Sequence, residues 1–111
     1  MIETSRQGTI AIFQSPERLN ADAAEEFEIV AEDCLATNVP LAVINLEGTQ
    51  ILDSAGLEFL VDFADELKGQ GGDLKLAAPS NLCAEILEIS EVAKEIEIYE
   101  NVNQAVRSFV K

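Results

Sequence analysis

The chain lacks histidine and tryptophan, and it carries only two cysteines and seven basic residues in a length of 111. Without histidine, the chain has no Ser-His-Asp triad of its own, and it lacks the commonest general base and metal ligand. The two cysteines, Cys34 and Cys83, do not form a C-x-x-C pair, which argues against a disulfide framework or a zinc site. We interpret both as small buried hydrophobic residues in a reducing compartment.

Basic residues are too few to balance the 21 acidic residues, and the formal net charge is −14. Such a surface repels phosphates, so we expect no direct binding to nucleic acid or to an anionic membrane. The acidity has two open explanations. It keeps the protein soluble, or it favours a partner with a basic surface.

Long apolar runs are also absent, and no stretch reaches the length of a membrane span. Residues 1–6 show no basic region followed by a hydrophobic stretch, so we expect neither a secretory signal nor membrane insertion. The length and the 48% of apolar residues predict one domain, residues 1–111, with a core of its own.

Hydrophobic periodicity predicts strands that alternate with helices along the chain. The first helix follows Asn20, which is suited to cap it, and ends near Asn38 and Pro40. The predicted strands are 2–6, 8–13, 41–46, 73–78 and 95–99. The later predicted helices are 57–67, 81–92 and 102–109, and Asn101 is suited to cap the last one. This order predicts an α/β fold with a small, mixed and mostly parallel sheet and about four helices, mainly on one face.

The segment from Ile51 to Leu57 contains Asp53 and Ser54 at the junction between a strand and a helix. The loop from Thr49 to Gly56 leaves the carboxyl end of the third predicted strand, the edge where sites collect in open α/β sheets. A hydroxyl at a helix N-terminus lies among free backbone N–H groups, where a phosphate meets favourable electrostatics. Asp53-Ser54 is therefore either a helix N-cap and nothing more, or a phosphorylation switch.

Other kinds of site fit the sequence less well. Ser54 as a catalytic nucleophile requires an activating base, and the chain has no histidine to serve as one, so we predict no catalytic residue and no enzyme. The acidic clusters at 25–28 and 62–66 lack the ligand spacing of a calcium-binding loop, so we interpret them as solvated helix faces. The glycine-rich segment 69–72 lacks the lysine and hydroxyl residue of a phosphate-binding P-loop. We predict no metal and no cofactor.

Three segments follow one another in the order Val43–Leu46, Asp53-Ser54-Ala55-Gly56-Leu57 and Gly71–Leu76. Together they resemble the STAS domain family, in particular its anti-sigma-factor antagonists. In that family, the serine directly after the aspartate is phosphorylated by an anti-sigma factor that is itself a serine kinase. The resemblance implies that Ser54 is this serine, with Asp53 as the flanking acid and Gly56 as the glycine at the helix start.

The resemblance implies a non-catalytic protein-binding module that controls transcription in the cytoplasm of a bacterium. In the family's scheme, the unphosphorylated module binds the anti-sigma kinase and frees a sigma factor. Phosphorylation of Ser54 breaks that complex, and a serine phosphatase restores it. Two alternatives stay open: a non-catalytic subunit of an ABC-type transport complex, and nucleotide binding at the Ser54 edge.

The partner surface that the resemblance implies contains the motif and nearby positions; its members are Asp53, Ala55, Gly56, Leu57, Glu58, Asn20 and Thr49. Two features depart from the family pattern. The turn 15–20 lacks the glycine and aspartate that relatives commonly carry there, and Glu58 stands where a small residue is common. Glu58 adds a negative charge close to Ser54, which is expected to weaken or reshape kinase docking.

Overall fold

The computed structural model describes residues 2–36 and 40–110 of the chain. In chain order the elements are β1 Glu3–Gln7, β2 Ile10–Gln14, β3 Arg18–Leu19, α1 Ala21–Leu35, β4 Leu41–Asn45, β5 Ile51–Leu52, α2 Ser54–Gly69, β6 Asp73–Ala77, α3 Asn81–Ile89, α4 Val92–Glu95, β7 Glu97–Tyr99 and α5 Val102–Phe109. The predicted helix stop at Asn38 lies outside the described residues, and α1 itself ends at Leu35.

The main sheet has five strands in the order β1-β2-β4-β6-β7. Strand β1 pairs antiparallel with β2 through a tight turn at Gly8, whose φ of 62° favours glycine. The other pairs are parallel, because a helix crosses back between successive strands. The predicted α/β fold with a mixed, mostly parallel sheet is confirmed.

The two faces of the sheet are covered unequally. Ala11 and Phe13 of β2 point to a large core shared with α1, α2, α3 and α4. Ile10 and Ile12 of the same strand point to a smaller core, which α5 covers through residues such as Ala105. Since successive strand residues alternate between faces, the apolar run of β2 serves both cores. The predicted placement of helices mainly on one face is confirmed, with α5 alone on the other.

Four phenylalanines fasten α1 and α2 to the sheet and to each other. Phe27 of α1 stacks on Phe59 of α2, with ring centroids 5.0 Å apart, and Phe59 stacks on Phe63 at 5.6 Å. Phe13 of β2 meets Phe27 and Phe63 edge to face, at 6.1 and 6.0 Å. Aromatic side chains bury large apolar areas and favour these geometries, so the cluster fixes how α1 lies against α2.

Two predicted boundaries are wrong near the C-terminus. The helix predicted over 81–92 ends at Ile89, because Glu91 adopts a left-handed φ of 69° that no helix continues. A single helical turn, α4, follows and includes Glu95, so the last strand begins at Glu97 rather than at 95. Ile96 between them is 1% exposed and joins the larger core.

One charged side chain is buried beneath α5. Lys75 of β6 is 6% exposed, and its ammonium lies 3.0 Å from Glu97 Oε1 of β7. The same group donates to Ser108 Oγ at 2.7 Å and lies 4.4 Å from the ring centroid of Phe109. Lys75 thus joins β6, β7 and α5 through one side chain, whose ammonium contacts a carboxylate, a hydroxyl and an aromatic ring.

We expect Lys75→Ala to lower the free energy of unfolding by about 2–3 kcal/mol, because it removes a buried stem together with its contacts. Lys75→Met keeps the stem and is expected to cost less than about 1.5 kcal/mol. Urea denaturation followed by circular dichroism measures both. An equal loss in the two variants would contradict the view that the stem carries most of the stabilisation.

Candidate functional site

The N-terminus of α2 is capped by Asp53. This residue has an extended backbone, and its Oδ1 accepts a hydrogen bond of 3.0 Å from the backbone N–H of Gly56. Its carbonyl oxygen accepts the first helical bond, 3.0 Å from the N–H of Leu57. A carboxylate in this position satisfies a free donor and complements the helix dipole.

Ser54 is the first residue of α2, and its side chain is exposed. Its hydroxyl forms no hydrogen bond with any other residue in the described part of the chain. The capping role therefore belongs to Asp53, and the fold does not use the Ser54 hydroxyl. Of the two interpretations of Asp53-Ser54, the cap accounts for the aspartate and leaves the serine without a structural role.

Gly56 lets α2 start directly against strand β3. The residue is buried, and a Cβ in its place would clash with the carbonyl oxygen of Leu19. The N–H of Asp53 also points to this carbonyl, at 3.4 Å. This close approach of the two backbones is thus the reason for glycine at position 56.

A two-strand parallel ladder joins the turn 15–20 to the motif. Arg18 pairs with Ile51 and Leu19 with Leu52. The carbonyl of Glu17 accepts from the N–H groups of Gln50 and Ile51, at 2.8 and 3.1 Å. The ladder was not predicted from sequence, because two residues per strand leave no periodic signal. The ladder brings the turn 15–20 next to the loop from Thr49 to Gly56. Asn20 of the turn and Thr49 of the loop both belong to the partner surface that the family resemblance implies.

Thr49 lies inside this junction. It is 0% exposed, and its hydroxyl donates to the carbonyl of Pro16 at 2.7 Å. Its own carbonyl accepts from Cys83 Sγ at 3.3 Å, which ties the loop to the start of α3. Thr49 therefore positions the loop and presents no surface to a partner in this conformation.

The predicted partner residues differ in exposure. The exposed members are Asp53, Ser54 and Glu58, the half-buried members are Asn20, Ala55 and Leu57, and the buried members are Gly56 and Thr49. Asn20 is engaged as the N-cap of α1, where its Oδ1 accepts from Ala23 N–H at 3.1 Å. The structure brings these residues to one edge, and their part in binding a partner stays a prediction.

Both cysteines are buried and neither forms a disulfide, as the sequence indicates. Burial raises the pKa of the Cys34 thiol, and the nearby Arg6 guanidinium opposes this only in part. Cys34 lines a cavity of about 350 Å³ beneath β1, away from Ser54. A thiol with a raised pKa is protonated at neutral pH and reacts slowly.

Within residues 2–36 and 40–110, no group of three or more His, Cys, Asp or Glu side chains is arranged to hold a metal ion. None of the helices in this part of the chain is long and apolar enough to cross a membrane.

The family model of the STAS domain matches residues 1–105 of the chain. No curated protein sequence matches the chain significantly. Among solved structures, TM1081 of Thermotoga maritima superposes with a TM-score of 0.88 at 18% identity, covering 96% of this chain and 92% of that one. An anti-sigma-factor antagonist (STAS) domain protein of Planctomyces limnophilus gives 0.84 at 21% identity, covering 99% and 98%.

SpoIIAA, described as an anti-sigma factor antagonist, also matches in two forms. The unphosphorylated form gives a TM-score of 0.82 at 15% identity, covering 98% of this chain and 96% of that one. The phosphorylated form, from Bacillus, gives 0.74 at 15% identity. A sulfate transporter family protein of Wolinella succinogenes gives 0.81 at 13% identity, covering 94% and 87%. At these identities the likeness shows the fold alone.

We expect Gly56→Ala to lower the free energy of unfolding by about 1–3 kcal/mol, because the new methyl group forces α2 away from Leu19. Gly69→Ala is the matched control, since a Cβ there would meet no atom within 4 Å beyond its chain neighbours and the adjacent helix backbone. That change is expected to be neutral or to stabilise by up to about 1 kcal/mol. Chemical denaturation measures both, and equal effects would contradict the close-approach explanation.

Proposed function

Because the chain belongs to the STAS domain family, we propose that it is an anti-sigma-factor antagonist whose Ser54 is a phosphorylation site. In this proposal the protein is a non-catalytic binding module of the bacterial cytoplasm. Unphosphorylated, it binds an anti-sigma factor that is a serine kinase, and a sigma factor is released. Phosphorylation of Ser54 ends the complex, and a serine phosphatase restores the binding form.

The observation that carries the proposal is the free Ser54 hydroxyl at the start of α2. The cap is made by Asp53, so the hydroxyl is exposed and has no partner among the described residues. A kinase can therefore reach the oxygen without opening the helix. This arrangement supports a role for Ser54 that lies outside folding.

The electrostatics of the site support a switch that acts on binding rather than on the fold. A phosphoserine carries close to two negative charges at neutral pH, and a helix N-terminus tolerates that charge. A partner that packs over Ser54 would have to desolvate it beside the carboxylates of Asp53 and Glu58. A difference of about 3 kcal/mol changes affinity roughly a hundredfold, which is enough to exchange partners.

The likeness to both forms of SpoIIAA is compatible with this proposal, since a phosphorylated and an unphosphorylated structure share the fold of this chain. The likeness to a sulfate transporter family protein supports the second candidate, a docking subunit of a transport complex without a phosphorylation cycle. A neighbouring gene for a small ATP-binding serine kinase favours the first, and neighbouring transporter genes favour the second.

We expect incubation with the cognate kinase and ATP to place phosphate on Ser54, as located by mass spectrometry. Ser54→Ala is expected to bind the kinase constitutively, and Ser54→Asp is expected to bind about a hundredfold more weakly. The control is Ser5→Ala, which replaces an exposed serine on β1 and is expected to leave phosphorylation unchanged. Modification at Ser5, Ser80 or Ser90 with Ser54 untouched would refute the proposal.

The stability of the same variants separates switching from folding. Ser54→Ala and Ser54→Asp are expected to unfold within about 0.5 kcal/mol of the wild type, since neither removes a contact of the fold. Asp53→Ala, which removes the cap, is expected to cost about 1 kcal/mol. If Ser54→Ala costs as much as Asp53→Ala in urea denaturation, the hydroxyl has a structural role after all.

A further inference from the structure

A groove runs between α1 and α2, starting beside the N-terminus of α2. It consists of two adjoining cavities of about 190 and 290 Å³, which share Glu28, Phe59 and Asp62 in their lining. Ala55 lies at one end of the groove and Glu66 at the other. The stacked rings of Phe27 and Phe59 hold the two helices in this relation.

The floor of the groove is apolar. Small residues, Ala24 and Ala55, line the end near Ser54, and Ala31, Phe63 and Leu35 line the other end. Because the residues near Ser54 are small, the space between α1 and α2 is wide enough there to admit a row of side chains from a partner. Without regard to the rims, an apolar floor of this kind suits a row of apolar side chains from a partner, as in helix-in-groove recognition.

The rims of the groove are acidic on both sides. The carboxylates are Glu25, Glu28 and Glu32 on α1, and Glu58, Asp62 and Glu66 on α2. All six are exposed. On α2 they recur every four residues, so that they form one row along the groove. We name this feature, floor and both rims together, the acidic groove.

No basic side chain of the described part of the chain forms an ion pair with any of these six carboxylates. Helix α1 contains no lysine or arginine. The one basic residue of α2, Lys68, donates to the carbonyl of Glu95 at 2.9 Å. Like charges four residues apart, as in Asp62 and Glu66, destabilise a helix. Repulsion between neighbouring carboxylates thus opposes folding, and no ion pair in the described part of the chain offsets it.

We propose that the acidic groove binds a basic amphipathic helix of a protein partner. The helix would lay a narrow apolar ridge on the floor, with lysine or arginine side chains on both flanks reaching the two rims. From Glu58 to Glu66 the rim covers about 12 Å, which matches roughly two turns of a bound helix. A second copy of this chain is a poor occupant, because its own net charge is −14.

The acidic groove shares Ala55 and Glu58 with the predicted partner surface. The inference still goes beyond the proposed function, because the groove does not include the Ser54 hydroxyl and requires no phosphorylation. Complementary charge would act chiefly on the rate of association and on the choice of partner. The interaction would weaken with added salt, since all six carboxylates are exposed.

The probe for the test is a fluorescent 16-residue peptide of leucine and lysine, with its leucines on one helical stripe. Its control is a scrambled peptide of the same composition, which has the same charge and no stripe. Fluorescence anisotropy is expected to show that the striped peptide binds the full chain at least tenfold more tightly than the scrambled one. Absence of binding, or equal binding of both peptides, overturns the proposal.

Matched variants locate the binding. Glu28→Gln/Glu66→Gln removes one carboxylate from each rim, and a loss of about threefold to fivefold per exposed ion pair predicts binding that is weaker by about ninefold to twenty-fivefold. Glu85→Gln/Glu88→Gln makes the same chemical change on exposed positions of α3 and is expected to leave affinity unchanged. Equal losses in the two double variants would mean attraction by net charge alone and would overturn the proposal.

In the groove variant Glu28→Gln/Glu66→Gln, stability and peptide affinity are expected to change in opposite directions. Glu28→Gln/Glu66→Gln relieves repulsion on both helices, so we expect its melting temperature to rise by about 2–5 °C while its affinity falls. A lowered melting temperature together with weaker binding would point to damaged structure and contradict the proposal. Ser54→Ala is expected to bind the peptide as the wild type does, so a failure of the phosphorylation proposal would not be mistaken for a failure of this one.

Discussion

The position of the candidate site depends on the close approach of Gly56 to the backbone of Leu19. Glycine permits this contact without strain, because a Cβ at this position would clash with the Leu19 carbonyl oxygen. The contact sets α2 against β3, and the β3–β5 ladder then holds the turn 15–20 beside the motif. Thr49 closes the junction through its bond to Pro16. The exposure of Ser54 is therefore a result of backbone packing rather than of its own interactions.

A second constraint acts along the helices. The four phenylalanines fix α1 against α2 beneath the surface, and the same arrangement leaves the acidic groove above them. The interior of this layer is apolar and closely packed, whereas its outside carries exposed carboxylates without ion-pair partners in the described chain. Stability comes from the aromatic contacts, and the carboxylates reduce it slightly. This division separates what folds the domain from what a partner can recognise.

The sequence was sufficient for features with local signals. Alternating helical and strand patterns predicted the fold, and Asp53 at a helix start predicted a cap. Features that require distant contacts were missed. The β3–β5 ladder is too short to leave a pattern, and Lys75 gave no sign of burial because its partners, Glu97 and Ser108, lie far along the chain. The acidic residues of α1 and α2 were recognised as helix faces, but only packing places them on opposite rims of one groove.

The assignment of the cap to Asp53 has a consequence for how this protein tolerates sequence change. Position 54 bears no folding constraint, whereas positions 53 and 56 do. Mutational scans that read cellular abundance report on stability, since destabilised chains are degraded. Such a scan is therefore expected to mark Gly56 as sensitive and to pass over Ser54, including under our proposal that Ser54 is phosphorylated. Under that proposal, drift at this one position erases regulation while leaving a well-folded, abundant protein.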